Sequence, residues 1–533
     1  MKKETTFISM AFLFASLVFF QNCAEKGSDV TARSSALGYS DNYAPNELII
    51  KMKTKSSYDD MAEWVNDTHS KVEYEWHDEH MALVSWGSQV SVENMMYTMN
   101  HAYYAKNIEY IEPNYLLAPP IDFLDNPISI QQSGGDVSAS SFNREDLSGF
   151  SLSIKNQAIN SLTGASQLQG TANISRPVVV AVIDSGLDIN HSYFQASEAL
   201  WVNSGEIPGD NIDNDNNGRV DDVHGWNFIN ENSNMSDQDG HGTHCAGIVL
   251  NISNNIFTDN PSVSPVKVMG LKFIGSNGGK TSDAIKAIDY AVRNGADVIS
   301  NSWGGTARSQ ALMSSLVNAS NKGVFIAVAA GNDSTNNDAR PVYPANNVAP
   351  NLISVAASTS DDALASFTNF GRLSVDIAAP GVQVLSTYPR EDGEDKFRFL
   401  SGTSMATPYV AGTAAIMLNT NPDLTGFEVK NIIVSTANPV SQFQGFLSTA
   451  SRINSKAANN MARSTASTSE QPQALGGAFA GDNIGAKSVD SAGCGLVLPN
   501  DTNKPGGNFP LYILILALPI ILIKGLKVNS TLA

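Results

Sequence analysis

Spaced by its apolar positions, the chain falls into a short patterned stretch, a featureless one and a long alternating one. Glu47-Leu48-Ile49-Ile50-Lys51-Met52-Lys53 alternates weakly around an apolar centre and predicts a strand. From Tyr58 to Thr68 the spacing turns helical, with Met61, Trp64 and Val65 on one face. A second strand is expected over His80–Trp86, a second helix near Val92–Tyr103, and Ile108–Tyr115 ends the unit. Residues 44–118 thus read as a small α+β fold of the open-faced sandwich kind. Residues 119–155 are rich in Ser, Gly, Asn and Gln without a period, as a linker would be.

Residues 156–455 alternate between strand and helix signals. Pro177-Val178-Val179-Val180-Ala181-Val182-Ile183 is a continuous β-branched run, the mark of a strand buried on both faces of a parallel sheet. Val266–Phe273, Val298–Ser302 and Val324–Ala330 repeat it, with helical stretches at Thr281–Asn294 and Ser309–Lys322. This predicts an α/β domain, doubly wound around a mostly parallel sheet with helices on both faces. In such sheets ligands gather at the carboxyl ends of the strands.

Composition narrows the picture. A length of 533 residues suggests two to four units, and 42% hydrophobic residues leave material for a real core. A formal net charge of −19 argues against nucleic-acid binding, because phosphate would be repelled, and supplies carboxylates that suit solubility or calcium. Met1-Lys2-Lys3 and the apolar run Phe7–Phe20 have the form of a secretory signal over residues 1–23. Cys23 follows directly, as in a bacterial lipoprotein signal whose cysteine is acylated; an ordinarily cleaved signal is the alternative. Residues 456–508, rich in Ser, Thr, Ala, Gly and Asn, read as a flexible spacer. The apolar run Phe509–Ile523 with Lys524 and Lys527 gives a C-terminal segment over 509–527, resembling a surface-sorting signal or a tail anchor. Export to a bacterial surface, outer membrane or medium is the expected location. Of the three cysteines, Cys23 and Cys494 stand in sorting contexts and Cys245 in a motif, so no disulfide framework is expected.

Three motifs fall where strands end. Val182-Ile183-Asp184-Ser185-Gly186 puts an acid at a strand terminus, and Asp239-Gly240-His241-Gly242-Thr243-His244-Cys245-Ala246-Gly247 opens a small-residue helix with two histidines. Leu400-Ser401-Gly402-Thr403-Ser404-Met405-Ala406-Thr407-Pro408 opens an apolar helix with a serine. Singly, each is turn or cap chemistry. Together, in the chain order Asp, His, Ser, they resemble the subtilase family of serine proteases over residues 44 to about 450, and that order is the one this family is known by.

The resemblance implies a serine endopeptidase acting on protein or peptide substrates, made as a precursor. Residues 44–118 would be its propeptide, ending in Ile108-Glu109-Tyr110-Ile111-Glu112-Pro113-Asn114-Tyr115, an intramolecular inhibitor; 119–155 would be a processed linker. A serine hydroxyl needs a base, so His241 would take the proton of Ser404 while Asp184 orients the imidazole. Asn332, in Ala329-Ala330-Gly331-Asn332, would be the oxyanion donor. Ser302, Trp303 and Gly304 would form a substrate-pairing edge, Trp303 walling an apolar pocket or filling core. His244 would be structural, and Cys245 a buried small hydrophobe.

The acidic stretch Asp210–Asp222 spaces Asp213, Asp215, Asn217, the Arg219 carbonyl and Asp221 like an EF-hand loop, but His224 stands in place of the closing glutamate. Several subtilases carry calcium in such an insertion, so structural Ca2+ is expected here. A catalytically dead relative serving as a binding module would have lost part of the triad, and a calcium-dependent adhesin would need neither triad nor propeptide.

Overall fold

The computed structural model describes residues 43–118, 123–124 and 172–465, apart from gaps at 56–60, 62–64, 66–68, 88–89, 102, 174 and 255–262. Both terminal apolar runs, Cys23, Cys494 and most of the 119–155 linker lie outside the described residues.

The N-terminal unit carries β1 (Tyr43–Met52), β2 (Ser70–Trp76), β3 (Met81–Trp86), α1 (Val92–His101) and β4 (Ile108–Leu117). Strand β2 was not expected. Its sequence, Ser-Lys-Val-Glu-Tyr-Glu-Trp, alternates, but its charged positions sit on an exposed edge. Strand β1 pairs antiparallel with β3 and β4, Ile49 opposite Leu83 and Glu112. Its two faces go to different cores. Leu48, Ile50 and Met52 pack with Met61, Val65, Val84, Met95 and Met99, whereas Ile49 joins Trp76, Met81 and Leu83 against the large domain. A strand buried on both faces loses clean alternation, hence the unbroken Leu48-Ile49-Ile50 run. Beyond β4 the chain forms a two-residue strand, β5 (Phe123–Leu124).

The large domain is built on β6 (Val178–Asp184), β7 (Gly225–Asn227), β8 (Val266–Lys272), β10 (Val298–Asn301), β11 (Phe325–Ala329), β12 (Leu352–Ser358), β13 (Ile377–Pro380), β16 (Asn438–Pro439) and β17 (Ser451–Arg452). Their sheet order is β16-β17-β13-β12-β11-β10-β6-β8-β7, and every pairing is parallel except β16 with β17. Helices follow strands on both faces. Along β6, Val178, Val180 and Val182 face a cluster with α3 (His241–Asn254) and α6 (Thr403–Thr420). Ala181 and Ile183 face the opposite cluster with α4 (Thr281–Arg293) and α5 (Gln310–Asn321). This is the doubly wound α/β domain expected from the β-branched runs. The short helix α2 (Ser192–Gln195) follows β6, and α7 (Gly426–Thr436), opened by a Thr425–Glu428 capping box, follows α6.

The stretch expected as a spacer from 456 opens with a helix instead. Helix α8 (Ser455–Ser464) puts Ala458 and Ala462 into the core, and Ser455 Oγ lies 2.7 Å from Thr413 Oγ1 of α6. Its buried stripe is made of small side chains, which weakens the hydrophobic signal without removing the packing. A hairpin of β14 (Val384–Glu391) and β15 (Glu394–Ser401) leads into α6, and β15 also pairs with β5. The two-residue β9 (Gly279–Lys280), which precedes α4, extends the N-terminal sheet by pairing with β4.

Candidate active site

Strand β6 ends on Asp184, whose side chain is 1% exposed. Its Oδ1 lies 2.6 Å from His241 Nδ1 and accepts the Ser185 N–H at 2.7 Å. The imidazole is thus held at Nδ1, with Nε2 as its remaining site for proton transfer. Helix α3 begins on His241 because Asp237 gathers its N-terminal donors: Oδ2 accepts from Thr243 N and Oγ1, and Oδ1 from Gly240 N and Ser185 Oγ. Gly242 lets the helix start abut the strand end, since a Cβ there would meet the Gly186 carbonyl at 2.3 Å. One turn on, His244 Nε2 sits 3.0 Å from the carbonyl oxygens of both Val384 and Arg398, and burial pushes its pKa down to about 3. It is a neutral strut beneath the hairpin.

Ser404 is the second residue of α6 and is fully buried. Pro408, four residues on, has no N–H for the Ser404 carbonyl. That carbonyl instead accepts from Ser302 Oγ at 2.9 Å and Cys245 Sγ at 3.5 Å. Cys245 therefore bridges the helix of His241 to that of Ser404, and the Ser302 hydroxyl serves the Ser404 backbone. Ser404 Oγ lies 3.5 Å from the Ser302 carbonyl oxygen, at the limit of a hydrogen bond.

Asn332 follows β11 in a turn that Asn369 builds. Asn369 Oδ1 accepts from Asp333 N and Thr335 N, and Asn369 N donates to the Gly331 carbonyl. Gly331 is required at φ +108°, where a Cβ would strike Asn369 Nδ2 at 2.4 Å. Asn332 Oδ1 accepts from Thr403 N and Oγ1, both at 2.9 Å. This fixes the amide's orientation beside Ser404 and leaves Nδ2 as its donating end.

The chain's own N-terminal unit lies along these elements. Leu116 pairs with Lys280 and Leu117 with Gly279, and Ala118 exchanges both backbone hydrogen bonds with Gly304, at 3.1 and 2.9 Å. Past Ser404, Phe123 pairs with Ser401 and Leu124 with Leu400. Trp303 points beneath this strand, 0% exposed, edge-on to Phe273 at 4.9 Å and in one cluster with Leu117. Of the two alternatives for it, the structure shows a side chain that fills core.

Two side chains of β4 that the sequence did not single out fix this arrangement. Glu112 accepts from Ser309 Oγ at 2.5 Å, Gln310 N at 2.7 Å and Ala311 N at 3.2 Å, capping α5. Asn114 accepts from Ser282 N and donates to Ser282 Oγ at the start of α4. Two cap-forming residues at i and i+2 share one strand face, and that spacing was the available signal. Lys280–Glu47, at 2.7 Å, closes the edge.

In the acidic stretch, Asp213 and Asp215 come together with Glu206, their carboxylates within 4.8 Å of one another. Asn217 Oδ1 is buried without a hydrogen-bond partner, while its Nδ2 donates to Asp215 and Asp222. Asp221, expected as a ligand, is turned elsewhere: its carboxylate accepts from Gly209 N at 2.7 Å and Asn211 N at 3.1 Å. The EF-hand spacing fails there because the loop closes on Glu206, before the repeat, whose Oε1 accepts from Asn214 N and Asp215 N.

Comparison with known proteins agrees with this geometry. The model of the subtilase family matches residues 175–469. Thermitase of Thermoactinomyces vulgaris is 34% identical over 263 residues, 49% of this chain and 81% of thermitase. Subtilisin DY of Bacillus licheniformis is 38% identical over 218 residues, 40% of this chain and 76% of its own. Among solved structures, fervidolysin of Fervidobacterium pennivorans shares the fold at a TM-score of 0.59 with 22% identity, the match covering 79% of this chain and 62% of fervidolysin.

Proposed function

Since the chain belongs to the subtilase family and is a subtilisin-like serine endopeptidase, we propose that Asp184, His241 and Ser404 are its catalytic triad and that it is made as a precursor that cuts itself. His241 Nε2 takes the Ser404 proton as Oγ adds to the scissile carbonyl carbon; Asp184, bonded to Nδ1, holds the tautomer and stabilises the imidazolium. Asn332 Nδ2 and backbone N–H groups at the start of α6 receive the charge that develops on the carbonyl oxygen. Collapse breaks the C–N bond, the leaving amine takes the proton from His241, and water then repeats the sequence on the acyl-enzyme. Substrate lies as a strand against Gly304 and β9, as Leu116–Ala118 does.

The observation that carries self-processing is the pairing of the chain's own segment on both sides of Ser404, Ala118 with Gly304 and Phe123 with Ser401. The first cut accordingly falls between Ala118 and Phe123, and residues 44–118 then act as an inhibitor. A Ser404→Ala precursor will stay full length apart from its signal, and the wild-type propeptide will end between Ala118 and Asp122. Efficient maturation of Ser404→Ala with no other protease present, or a first cut outside that window, overturns this.

Calcium fits the acidic stretch. Glu206, Asp213, Asp215 and the orphaned Oδ1 of Asn217 offer the hard oxygen donors that Ca2+ takes, and a bound ion would hold the loop by neutralising them. Export and surface attachment rest on the terminal sequences: Cys23 lies on the propeptide side of the cut, so a lipid there would leave with the propeptide. Truncation at Ser491 will release active enzyme, and Cys23→Ser will not; the opposite pattern refutes the assignment.

A further inference from the structure

Lys272, the last residue of β8, stands opposite Asp184 in the β6–β8 register and is only 6% exposed. No step of the triad mechanism uses it. Its Nζ donates to the Ser185 carbonyl, to the Ser236 carbonyl at 2.9 Å and to Gln238 Oε1 at 3.0 Å. Three acceptors converging on one nitrogen require three N–H donors, so the ammonium is the form that fits. All three acceptors are neutral oxygens, so the positive charge is not cancelled by a direct carboxylate contact.

The acceptors belong to two turns. Ser185 follows Asp184 directly, and Ser236 and Gln238 flank Asp237, the residue that caps the helix of His241. Ser185 Oγ joins the turns again, donating to Asp237 and accepting from Gly242 N. Lys272 thus lies under the junction that sets the 2.6 Å Asp184–His241 contact. The charged groups that act on it are Asp237 and Asp239 in the turn and Asp184 on β6. Of the groups next to these, His241 on α3 is bonded to Asp184 and faces His244, and Tyr388 on β14 donates to the Asp239 carbonyl. Burial lowers the Lys272 pKa, while the carboxylates of Asp237, Asp239 and Asp184 favour its charge.

We propose that Lys272 is a positioning residue for the Asp184–His241 pair: its ammonium ties the turn after Asp184 to the turn before His241 and opposes uptake of a proton by the pair. Removing the charge must therefore do two separable things. The turns loosen, so kcat falls with little change in KM. The imidazolium also becomes easier to form, so the acid limb of the pH profile moves to higher pH.

The test is kcat, KM and the pH profile of kcat/KM for a chromogenic peptide, on mature wild type, Lys272→Met, Lys272→Gln and Lys272→Arg. The inference rests on the triad reading, which the wild-type acid limb and labelling of Ser404 check independently. The two neutral variants are expected to lose about tenfold or more in kcat. Their acid limb is expected to rise by roughly half a pH unit at low ionic strength, and less in high salt. Lys272→Arg keeps the charge with altered hydrogen-bond geometry, so it will lose kcat and keep the limb. A folded neutral variant with the wild-type limb overturns the proposal; should neither fold, a limb displaced in Lys272→Arg does so.

Discussion

The grip of the proposed propeptide on the large domain will weaken between about pH 4.5 and pH 7. Glu112, 6% exposed in the interface, is pushed up to about 7 by burial, against the hydrogen bonds from Ser309, Gln310 and Ala311. Asp289 on α4 is pushed up to about 7 by burial and by Glu79 and then Asp78 across the interface, partly offset by Arg293 and Arg219. Glu79 is itself raised, chiefly by burial, with Asp78 adding to it and Lys51, Asn318 and Arg293 opposing. Once the parts separate, these carboxylates regain water and their ordinary values. A carboxylate whose value is higher in the complex stabilises the complex fully below its ordinary value, and that stabilisation is gone once pH passes the raised one. For Glu112 the interval from 4.5 to about 7 is worth about 3 kcal/mol, or roughly 10²-fold in the dissociation constant. Asp289, less deeply buried, adds in the same direction. Dissociation of the self-cut complex, followed by size exclusion and appearance of activity from pH 4 to 9, will show affinity falling up to about pH 7 and level above it. Glu112→Gln will reduce that slope and leave the part carried by Asp289 and Glu79. An unchanged slope in Glu112→Gln, or affinity that rises with pH, refutes the reasoning.

Ser302→Ala removes the hydroxyl donor to the Ser404 carbonyl and leaves only a thiol on a buried acceptor, costing about 1–3 kcal/mol of stability. It will lower the thermal midpoint and kcat, and equal values in both would show that carbonyl to be satisfied otherwise. Chelation will lower the thermal midpoint of wild type, and Asp213→Ala with Asp215→Ala will abolish that response; Asp221→Ala will keep it, because its carboxylate serves Gly209 and Asn211. A response that survives the double substitution places the metal elsewhere.

What was legible in the sequence was whatever repeats locally. The β-branched runs at Val178–Ile183 and Val266–Phe273 show a two-sided sheet because each residue reports its own burial, and Asp184, His241 and Ser404 could be placed because each sits in a short motif at an element's end. The acidic stretch was legible as chemistry but not as geometry. Its side-chain spacing named Asp221, while the chain folds back to Glu206, which the spacing does not reach. Glu112 and Asn114 were missed because the helices they cap start about 170–200 residues later, and Lys272 because a lysine closing an apolar strand looks like an exposed end. The linker hid β5 for another reason: two residues are too few to show a period, and their strand exists only because β15 offers a partner.

The central claim is that Ser404 is the nucleophile made reactive by His241 and Asp184. A fluorophosphonate probe reports this directly, since it bonds covalently only to an activated serine. Peptide mapping of labelled mature enzyme by mass spectrometry is predicted to find the adduct on Ser404, with labelling abolished in Ser404→Ala and slowed by orders of magnitude in His241→Ala. An adduct on another serine, or undiminished labelling of His241→Ala, would contradict the account.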